Sequence, residues 1–323
     1  MRKMIKRVPC FILALSMVVL CFAGCGEKKD DTYTVGICQL VQHEALDAAT
    51  DGFKQALKDK LGDKVTFDEQ NASGEATNCT TICSKFVSDK VDLIMANATG
   101  ALSAAAQATA DIPIVATSIT DYATALDIAN WTGKTGFNVT GTADLAPLDE
   151  QAKMIKELVP DAKTVGILYC SAEPNSKYQS TVIQKSLQEL GLTCKEFTFV
   201  DTNDVTAVTQ QAAAECDVIF APTDNTVASN GPAINNVLEP AKIPLIAGEE
   251  GICKKCGIAT LSISYYDIGY KAGEMAYQIL AEGADPGEME IEYAKNLTKK
   301  YMADRCQTLG ITIPDGYEAI SAE

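Results

Sequence analysis

Short apolar runs alternate with amphipathic segments along most of the chain. Val91 to Ala96 is almost entirely apolar, as in a buried strand, whereas His43 to Leu61 carries Leu46, Phe53 and Leu57 at helical spacing. Alternating strands and helices predict parallel sheets covered by helices on both faces, because a parallel neighbour is reached only through a crossover. The sequence therefore predicts an α/β fold.

The alternation begins a second time near the middle of the chain. Thr164 to Tyr169 (TVGILY) is similar to the first predicted strand, Tyr33 to Ile37, and Gly136 to Gly141 is the expected crossover before it. We therefore predict two Rossmann-like lobes, each with its own parallel sheet, joined by a hinge. The predicted N-terminal lobe comprises residues 32–140 with a return segment at about 264–284, and the predicted C-terminal lobe comprises residues 141–263 with a tail at about 285–323.

The first 31 residues are basic, then apolar, then polar. Four basic residues precede the apolar run Phe11 to Phe22, and two small residues precede Cys25. This order predicts a secretory signal peptide over residues 1–24. A cysteine in the first mature position predicts lipidation at Cys25, followed by a tether over residues 25–31. The apolar run is shorter than the ~20 residues that a transmembrane helix needs, so we expect an extracytoplasmic protein anchored to the bacterial cell membrane through acyl chains.

The predicted mature chain has 299 residues, a length that suits two domains of ordinary size. Without the four basic leader residues it carries 23 Lys and Arg against 43 Asp and Glu, a formal charge of −20. A surface this acidic repels phosphate backbones and excludes nucleic acid as a partner. Arg305 is the one arginine after the leader. An anionic ligand group therefore has to be held mainly by backbone N–H groups, helix N-termini, hydroxyls or lysine.

Nine of the twelve cysteines follow the predicted lipidated residue. The number is odd and several lie in apolar runs, which argues against a complete disulfide framework. Cys253 and Cys256 have the spacing of a redox motif or of half a metal site. The chain has no second pair with this spacing and a single histidine. We therefore predict no metal and no cofactor, and a local disulfide between these two cysteines stays an alternative.

Polar residues follow the predicted strands at the points where each strand ends. Parallel sheets bind ligands beyond the carboxyl ends of their strands, and these positions are rich in Ser, Thr, Asn, Gln and carboxylates. The set predicts a pocket for a small polar or zwitterionic molecule, with Asp or Glu pairing with an ammonium group. The same residue types favour helix caps and turns, so a structural role stays open for each one.

Sequence motifs of catalysis are absent from the chain. It contains no G-x-S-x-G elbow, Walker A motif or G-x-G-x-x-G motif. We interpret His43, at the start of the first helix, as a solvated or capping residue and Trp131 as a half-exposed loop residue. The sequence predicts a binding protein and not an enzyme, with an envelope hydrolase as the weakest alternative.

Seven segments of the chain carry a family resemblance. They are VGICQLVQHEALDAATDGF, QNASGEATN, FVSDKVDLIMANATGALSAAAQATADIPIVATSITD, NVTGTAD, ELVPDAKTVGILYCSAEPNS, APTDNTVAS and SYYDIGYKAGEMAYQIL. In this order, from about Tyr33 to Pro314, they resemble the ABC-transporter substrate-binding lipoproteins of the tryptophan/tyrosine-type group. The resemblance implies the type I periplasmic-binding-protein fold and an amino-acid-like ligand enclosed between two lobes. It also implies a membrane permease and its ATPase as partners.

Carried over segment by segment, the resemblance implies a set of ligand-binding residues. Asp224, at the end of a buried strand, is the first candidate to bind a ligand ammonium and Glu173 is the second. Asn175 and Ser176 open a helix and would suit a ligand carboxylate. Tyr122 stands where the family pattern has proline, and it could reach the cleft. The complete predicted set is Gln39, Thr99, Thr117, Ser118, Asp121, Ser171, Glu173, Asn175, Ser176, Asp224, Asn225 and Glu249.

Together these features predict a monomeric, extracytoplasmic solute-binding lipoprotein of an ABC importer. An aromatic amino acid is favoured as the ligand over branched-chain amino acids and other small zwitterions. A ligand that bridges both lobes would favour the closed form, which would dock on the permease. The alternative is a sensor that presents its closed form to a membrane receptor.

Overall fold

Two β-sheets form the framework of residues 32–321, which are the residues that the computed structural model describes. The predicted signal peptide, the lipidation site Cys25 and the tether lie outside the described residues. The strands are β1 (Tyr33–Gln39), β2 (Val65–Asn71), β3 (Leu93–Asn97), β4 (Ile114–Ile119), β5 (Val139–Ala143), β6 (Thr164–Cys170), β7 (Thr193–Phe199), β8 (Val218–Ala221), β9 (Leu245–Ala247), β10 (Ala259–Ser262), β11 (Glu292–Tyr293), β12 (Thr298–Tyr301) and β13 (Glu318–Ala319). The helices are α1 (Glu44–Leu61), α2 (Ala76–Asp89), α3 (Thr99–Ala108), α4 (Tyr122–Ala125), α5 (Leu148–Leu158), α6 (Pro174–Glu189), α7 (Val205–Glu215), α8 (Asn225–Ala241), α9 (Glu250–Cys256), α10 (Tyr265–Glu282) and α11 (Ala303–Leu309).

The first sheet has the strand order β11-β5-β4-β3-β1-β2, and every neighbouring pair is parallel. Its central strand β3 is buried along its whole length. Leu93 and Met95 pack in one apolar cluster with α1 and α10, and Ile94 and Ala96 pack in a second cluster with α2 and α3. Helices therefore cover both faces, as the alternating sequence pattern predicts.

The second sheet has the order β13-β12-β10-β9-β8-β6-β7. Its pairs are parallel except that β12 runs antiparallel to β10, with Tyr301 opposite Ala259. The sheet is thus mostly parallel, and the prediction of a parallel sheet fails at this one edge. The physical reason is that the chain leaves the second sheet after β10, adds β11 to the first sheet and then returns beside β10 in the opposite direction.

The chain passes between the two sheets after β5, after β10 and after β11. Residues 141–143 complete β5 in the first sheet, and β11 adds to the same sheet, so the strands divide differently from the predicted boundaries at 140/141 and about 285. The segment that we expected to be a crossover, Gly136 to Gly141, leads into a buried strand. We call the first sheet with α1–α4 and α10 the first lobe, and the second sheet with α5–α9 and α11 the second lobe.

Helix α10 corresponds to the predicted return segment and lies directly against α1. A Cβ atom on Gly269 would lie 2.0 Å from the carbonyl oxygen of Ala49, and one on Gly52 would lie 2.1 Å from the carbonyl oxygen of Tyr266. Both distances are far below a van der Waals contact, so the crossing requires residues without side chains. These glycines bring two distant parts of the sequence into one lobe.

The nine cysteines within residues 32–321 are free thiols, and all except Cys194 are buried. Cys253 and Cys256 lie in helix α9 and are not joined by the local disulfide that stayed an alternative. Buried thiols of this kind pack as small hydrophobic residues. None of the helices in the described part of the chain is long and apolar enough to cross a bilayer.

Candidate ligand-binding site

A small cavity lies between the two lobes. Most of its lining residues lie at or just beyond the carboxyl ends of strands, the place where parallel sheets bind ligands. In this closed form the space left inside the cavity is about 10 Å³, room for about one water molecule. The lining residues are His43, Leu46, Ser118, Thr120, Asp144, Asn175, Thr223, Asp224, Asn225, Ala228, Glu249 and Tyr265.

The two lobes touch each other beside this cavity. His43 Nε2, just before α1, lies 3.2 Å from Asn225 Oδ1 at the start of α8. Lys254 Nζ in α9 lies 3.1 Å from the carboxylate of Glu44. The interpretation of His43 as a solvated or capping residue is wrong, because the side chain is 8% exposed and makes no capping hydrogen bond. Because side chains of the two lobes contact each other here, the structure is a closed form of the cleft.

Asp224 faces the cavity and is 1% exposed. Its Oδ1 accepts a hydrogen bond from Val227 N at 2.8 Å, which caps α8, and its Oδ2 accepts one from Cys170 N at 2.8 Å. Burial, with the negative charge of Glu173, raises the pKa of Asp224 to about 8. A positive ligand group would act in the opposite direction, because a nearby cation favours the charged carboxylate.

Two further buried carboxyls face the cavity. Glu249 caps α9, with Oε2 accepting from Gly251 N at 2.6 Å, and burial raises its pKa to about 7. Asp144 follows β5 and accepts from Tyr265 Oη at 2.9 Å and from Thr120 Oγ1 at 3.2 Å. Burial raises the pKa of Asp144 to about 6. We call Asp144, Asp224 and Glu249 the carboxyl cluster.

No lysine or arginine is among the described residues that line the cavity. Lys255 lies near Glu249, but its ammonium donates to the carbonyl oxygen of Ala228 at 2.7 Å. The guanidinium of Arg305 donates to four carbonyl groups at the end of α9, those of Cys253, Lys254, Lys255 and Gly257. The carboxyl cluster thus lacks a cation within its own cavity.

Ser118 presents an unpartnered hydroxyl at the cavity. The residue is 6% exposed, and its Oγ has no hydrogen-bond partner among the described residues. Its backbone has φ of 58°, in the left-handed region that is strained for a residue other than glycine. A buried polar atom without a partner is unfavourable, so both features indicate a place where a ligand supplies the partner.

Glu173 is held by protein donors and does not line the cavity. Its carboxylate accepts from Asn225 N at 3.0 Å, from Asn225 Nδ2 at 2.7 Å and from Thr226 N at 2.9 Å. It thereby fills the N-terminus of α8, a position that would otherwise attract an anionic ligand group. Its neighbour Asn175 does line the cavity and donates to the carbonyl oxygen of Thr223 at 3.1 Å.

Five of the twelve predicted residues are brought together at the cavity: Ser118, Asn175, Asp224, Asn225 and Glu249. The others make hydrogen bonds or pack elsewhere; for example, Gln39 Nε2 donates to Asp47 at 2.6 Å. A direct role in binding stays a prediction for every member of the set. The predicted residues outside the lining are Gln39, Thr99, Thr117, Asp121, Ser171, Glu173 and Ser176.

Several lining residues escaped the sequence analysis. Asp144 follows β5 directly, so recognition of that strand would have pointed to it. His43 and Tyr265 flank the starts of α1 and α10, and no local pattern marks them as cavity residues. The lining residues that we did not predict are His43, Leu46, Thr120, Asp144, Thr223, Ala228 and Tyr265.

Tyr122 does not reach the cavity. It is 2% exposed, and its hydroxyl lies 3.1 Å from the carbonyl oxygens of both Ala116 and Thr142. Its ring stacks on the partly buried ring of Trp131, with centroids 6.3 Å apart. The two rings support the chain that follows β4.

The fold and the cavity together define the class of protein. Two α/β lobes, linked by three crossings, close over a small polar cavity at the carboxyl ends of their strands. This is the architecture of a type I periplasmic binding protein.

A family comparison gives the more specific assignment. The model of the family described as ABC transporter substrate binding protein matches residues 34–323. The chain therefore belongs to the ABC transporter substrate-binding family, whose members work outside the cytoplasm.

Similar proteins support the assignment. A tyrosine-binding protein of Clostridioides difficile (strain R20291) is 36% identical over 302 residues, which are 90% of this chain and 87% of that protein. A crystal structure of an ABC domain in complex with L-Trp from Streptococcus pneumonia is 31% identical, with a TM-score of 0.85 over 90% of this chain and 100% of that one. A ligand-free, open substrate-binding protein with adhesive properties from Clostridium difficile is 34% identical, with a TM-score of 0.69 over the same shares. The higher score with the complex agrees with the closed lobes seen here.

Proposed function

We propose that the protein captures an amino acid with the ammonium group of the ligand against the carboxyl cluster. The cluster is the observation that carries the proposal, because three buried carboxyls share one cavity without a lining cation. Buried charge is unfavourable unless it is paired and hydrogen-bonded, and a ligand ammonium supplies both. Asp224 is the first candidate because it lies just beyond the buried strand β8, is 1% exposed and has both carboxyl oxygens fixed by backbone N–H groups.

The ligand carboxylate is proposed to bind neutral donors. Glu173 already occupies the N-terminus of α8, and Arg305 is bound to the end of α9. Ser118 Oγ is the leading candidate, since it is buried, faces the cavity and has no partner among the described residues. Ser118 belongs to the first lobe and Asp224 to the second, so one zwitterion would hold both lobes closed.

Among amino acids we propose an aromatic one. Leu46 and Ala228 give the cavity an apolar part. One similar protein, 36% identical to this chain, is a tyrosine-binding protein, and another, 31% identical, has a crystal structure in complex with L-Trp. Branched-chain amino acids are the competing ligands.

The proposed cycle follows from the two lobes. A ligand that contacts both binds the closed form better and shifts the open–closed equilibrium towards it. The closed monomer then docks on the membrane permease, whose ATPase drives uptake. The sensor alternative has no observation in its favour, because the matching family is one of transport proteins.

The leader supports the proposal that the protein is a lipoprotein. We propose that residues 1–24 are removed and that Cys25 carries the acyl chains. Replacing Cys25 by alanine in cells should move the protein from the membrane fraction to the soluble extracytoplasmic fraction. Unchanged membrane association of this variant would contradict the lipid anchor.

A thermal-shift screen tests the ligand assignment. The chain from Gly26 to Glu323 is unfolded, washed and refolded to remove bound ligand, and then scanned against the amino acids, sugars and nucleosides. A ligand at about 100 times its Kd should stabilise the folded state by about 2.7 kcal/mol, which is readily detected. A shift with aromatic amino acids supports the proposal, and a shift with sugars or nucleosides alone contradicts it.

A further inference from the structure

We propose that Glu173 is a positioning residue of the closed state and not a ligand-binding residue. It holds Asn225 so that this side chain accepts a hydrogen bond from His43 across the cleft. We call these three residues the closure latch. The inference deepens the proposed function on which it rests, because it concerns how the same cleft retains its ligand.

The orientation of the Asn225 amide follows from its two partners. Its Nδ2 lies 2.7 Å from Glu173 Oε2, and a carboxylate can only accept a hydrogen bond. The amide nitrogen therefore faces Glu173, which leaves Oδ1 to face His43 at 3.2 Å. Since Oδ1 can only accept, His43 Nε2 is the donor.

The position of Glu173 is itself fixed by many donors. Its two oxygens accept from the backbone N–H groups of Asn225 and Thr226, from the hydroxyl of Thr226 at 2.8 Å and from Asn175 Nδ2 at 3.2 Å. Charge-assisted hydrogen bonds are stronger than neutral ones, and the carboxylate lies at a helix N-terminus, where a negative charge is favoured. Glu173 is thus held in one position in the second lobe, and its hydrogen bond to Asn225 Nδ2 fixes the orientation of that side chain.

The contact with His43 is buried, which makes it the stronger of the two polar contacts that we describe across the cleft. His43 is 8% exposed. By contrast, the side chains of Lys254 and Glu44 are 28% and 48% exposed, and exposed ion pairs contribute little. Opening the lobes therefore breaks a buried hydrogen bond in the latch. The exposed side chains of Lys254 and Glu44 can bind water instead of each other at little cost.

The experiment measures ligand release and lobe closure separately. The dissociation rate of an aromatic amino acid is measured by stopped flow for His43→Ala, for Glu173→Gln and for the double variant. Each single variant should raise the rate about fivefold, the ratio given by one net hydrogen bond. The double variant should be no faster than either single one. The matched control is Glu44→Gln, which removes the exposed ion pair and should change the rate by less than about twofold.

A second readout needs no ligand. Spin labels on Cys194, the one half-buried thiol of the second lobe, and on an Asp63→Cys variant in the first lobe report the distance between the lobes. His43→Ala and Glu173→Gln should both shift the ligand-free distances towards the open form. If no amino acid binds but these distances shift, the latch stands and the proposed ligand is wrong.

Other outcomes overturn the latch. Multiplied effects of the two substitutions on the dissociation rate would mean that Glu173 and His43 act independently, as they would if each contacted the ligand. Unchanged rates and unchanged distances in both single variants would show that the contact does not hold the lobes together.

Discussion

Replacing Asp224 by asparagine removes the negative charge from the proposed ammonium site while it preserves the shape of the side chain. Asparagine is as good a helix cap as aspartate, so the hydrogen bond from Val227 N that begins α8 can be kept. The second acceptor, which pairs with Cys170 N, is lost. This loss should lower the free energy of unfolding by about 1–3 kcal/mol, which leaves a folded protein for the measurement.

The size of the binding defect follows from two terms. Removing one partner of a buried, hydrogen-bonded charge pair weakens binding by roughly 2–5 kcal/mol. At pH 7 the difference in binding free energy between wild type and Asp224→Asn is smaller by about 1.4 kcal/mol, because a carboxyl with a pKa of about 8 must first lose its proton. The middle of the resulting range is about 2 kcal/mol, or roughly 30-fold in Kd. Between pH 7 and pH 8 the wild-type Kd should improve about fivefold, because more of the carboxyl is already ionised.

Isothermal titration calorimetry in two buffers with different ionisation enthalpies provides the assay. At pH 7 the wild-type protein should release a proton from Asp224 on binding, since a carboxyl with a pKa of about 8 is mostly protonated before the ligand arrives. Asp224→Asn should lack this release. The matched control is Asp285→Asn, which changes another capping aspartate, outside the cavity and outside the predicted set. Equal Kd values and equal proton release in wild type and Asp224→Asn would refute the assignment.

Three further predictions concern stability. Between about pH 4 and pH 8 the free energy of unfolding of the ligand-free protein should fall, because the pKa values of Glu249 and Asp224, about 7 and 8, are raised above the ordinary carboxyl value of about 4. This contribution to stability is complete below the pKa of the unfolded state and is lost as the pH rises through the pKa values of the folded state. Urea unfolding at each pH measures it. An added ligand should make the free energy of unfolding depend less steeply on pH. Gly269→Ala should destabilise the protein by about 1–3 kcal/mol, whereas Gly100→Ala in α3, whose nearest contact is a side-chain atom at 3.3 Å, should be nearly neutral; equal unfolding midpoints would contradict the packing argument. Arg305→Ala leaves carbonyl groups at the end of α9 without their donors and should cost about 2–3 kcal/mol in thermal unfolding, with a weaker Kd because Glu249 caps the same helix.

The central fold could be read from the sequence because its strands are buried on both faces. The predicted strand Thr164 to Tyr169 is β6 (Thr164–Cys170), and the predicted helix His43 to Leu61 is α1 (Glu44–Leu61). Strand β5 was missed because Gly141 and its threonines resemble a loop. Its burial comes from neighbours on both sides that are far away in the sequence. Helix α9 has no clear signal in the sequence because it is only seven residues long and ends at Gly257.

The candidate site was only partly predictable for a related reason. Asp224 and Glu249 follow strands that the sequence reveals, so the rule for parallel sheets points to them. Asp144 follows β5, the strand that was missed, so the position of ligands beyond strand ends could not be used to predict it. His43 depends on a still more distant relation, because its contact with Asn225 exists only when the two lobes close. Glu173 follows a strand too, but its carboxylate is hydrogen-bonded to the N-terminus of α8.

The crossing of α1 by α10 has a consequence for how the chain folds during synthesis. The first lobe needs Gly269 on α10 to pack against Ala49, so it is incomplete until residues up to Glu282 are available. The second lobe needs β12, which comes later still. Contacts this distant in sequence form slowly, and chains that end at Ser262 should be digested by a protease far faster than chains that end at Glu282. Because each lobe contains elements from near the end of the chain, we expect both lobes to stay unfolded until almost all of the chain has been made.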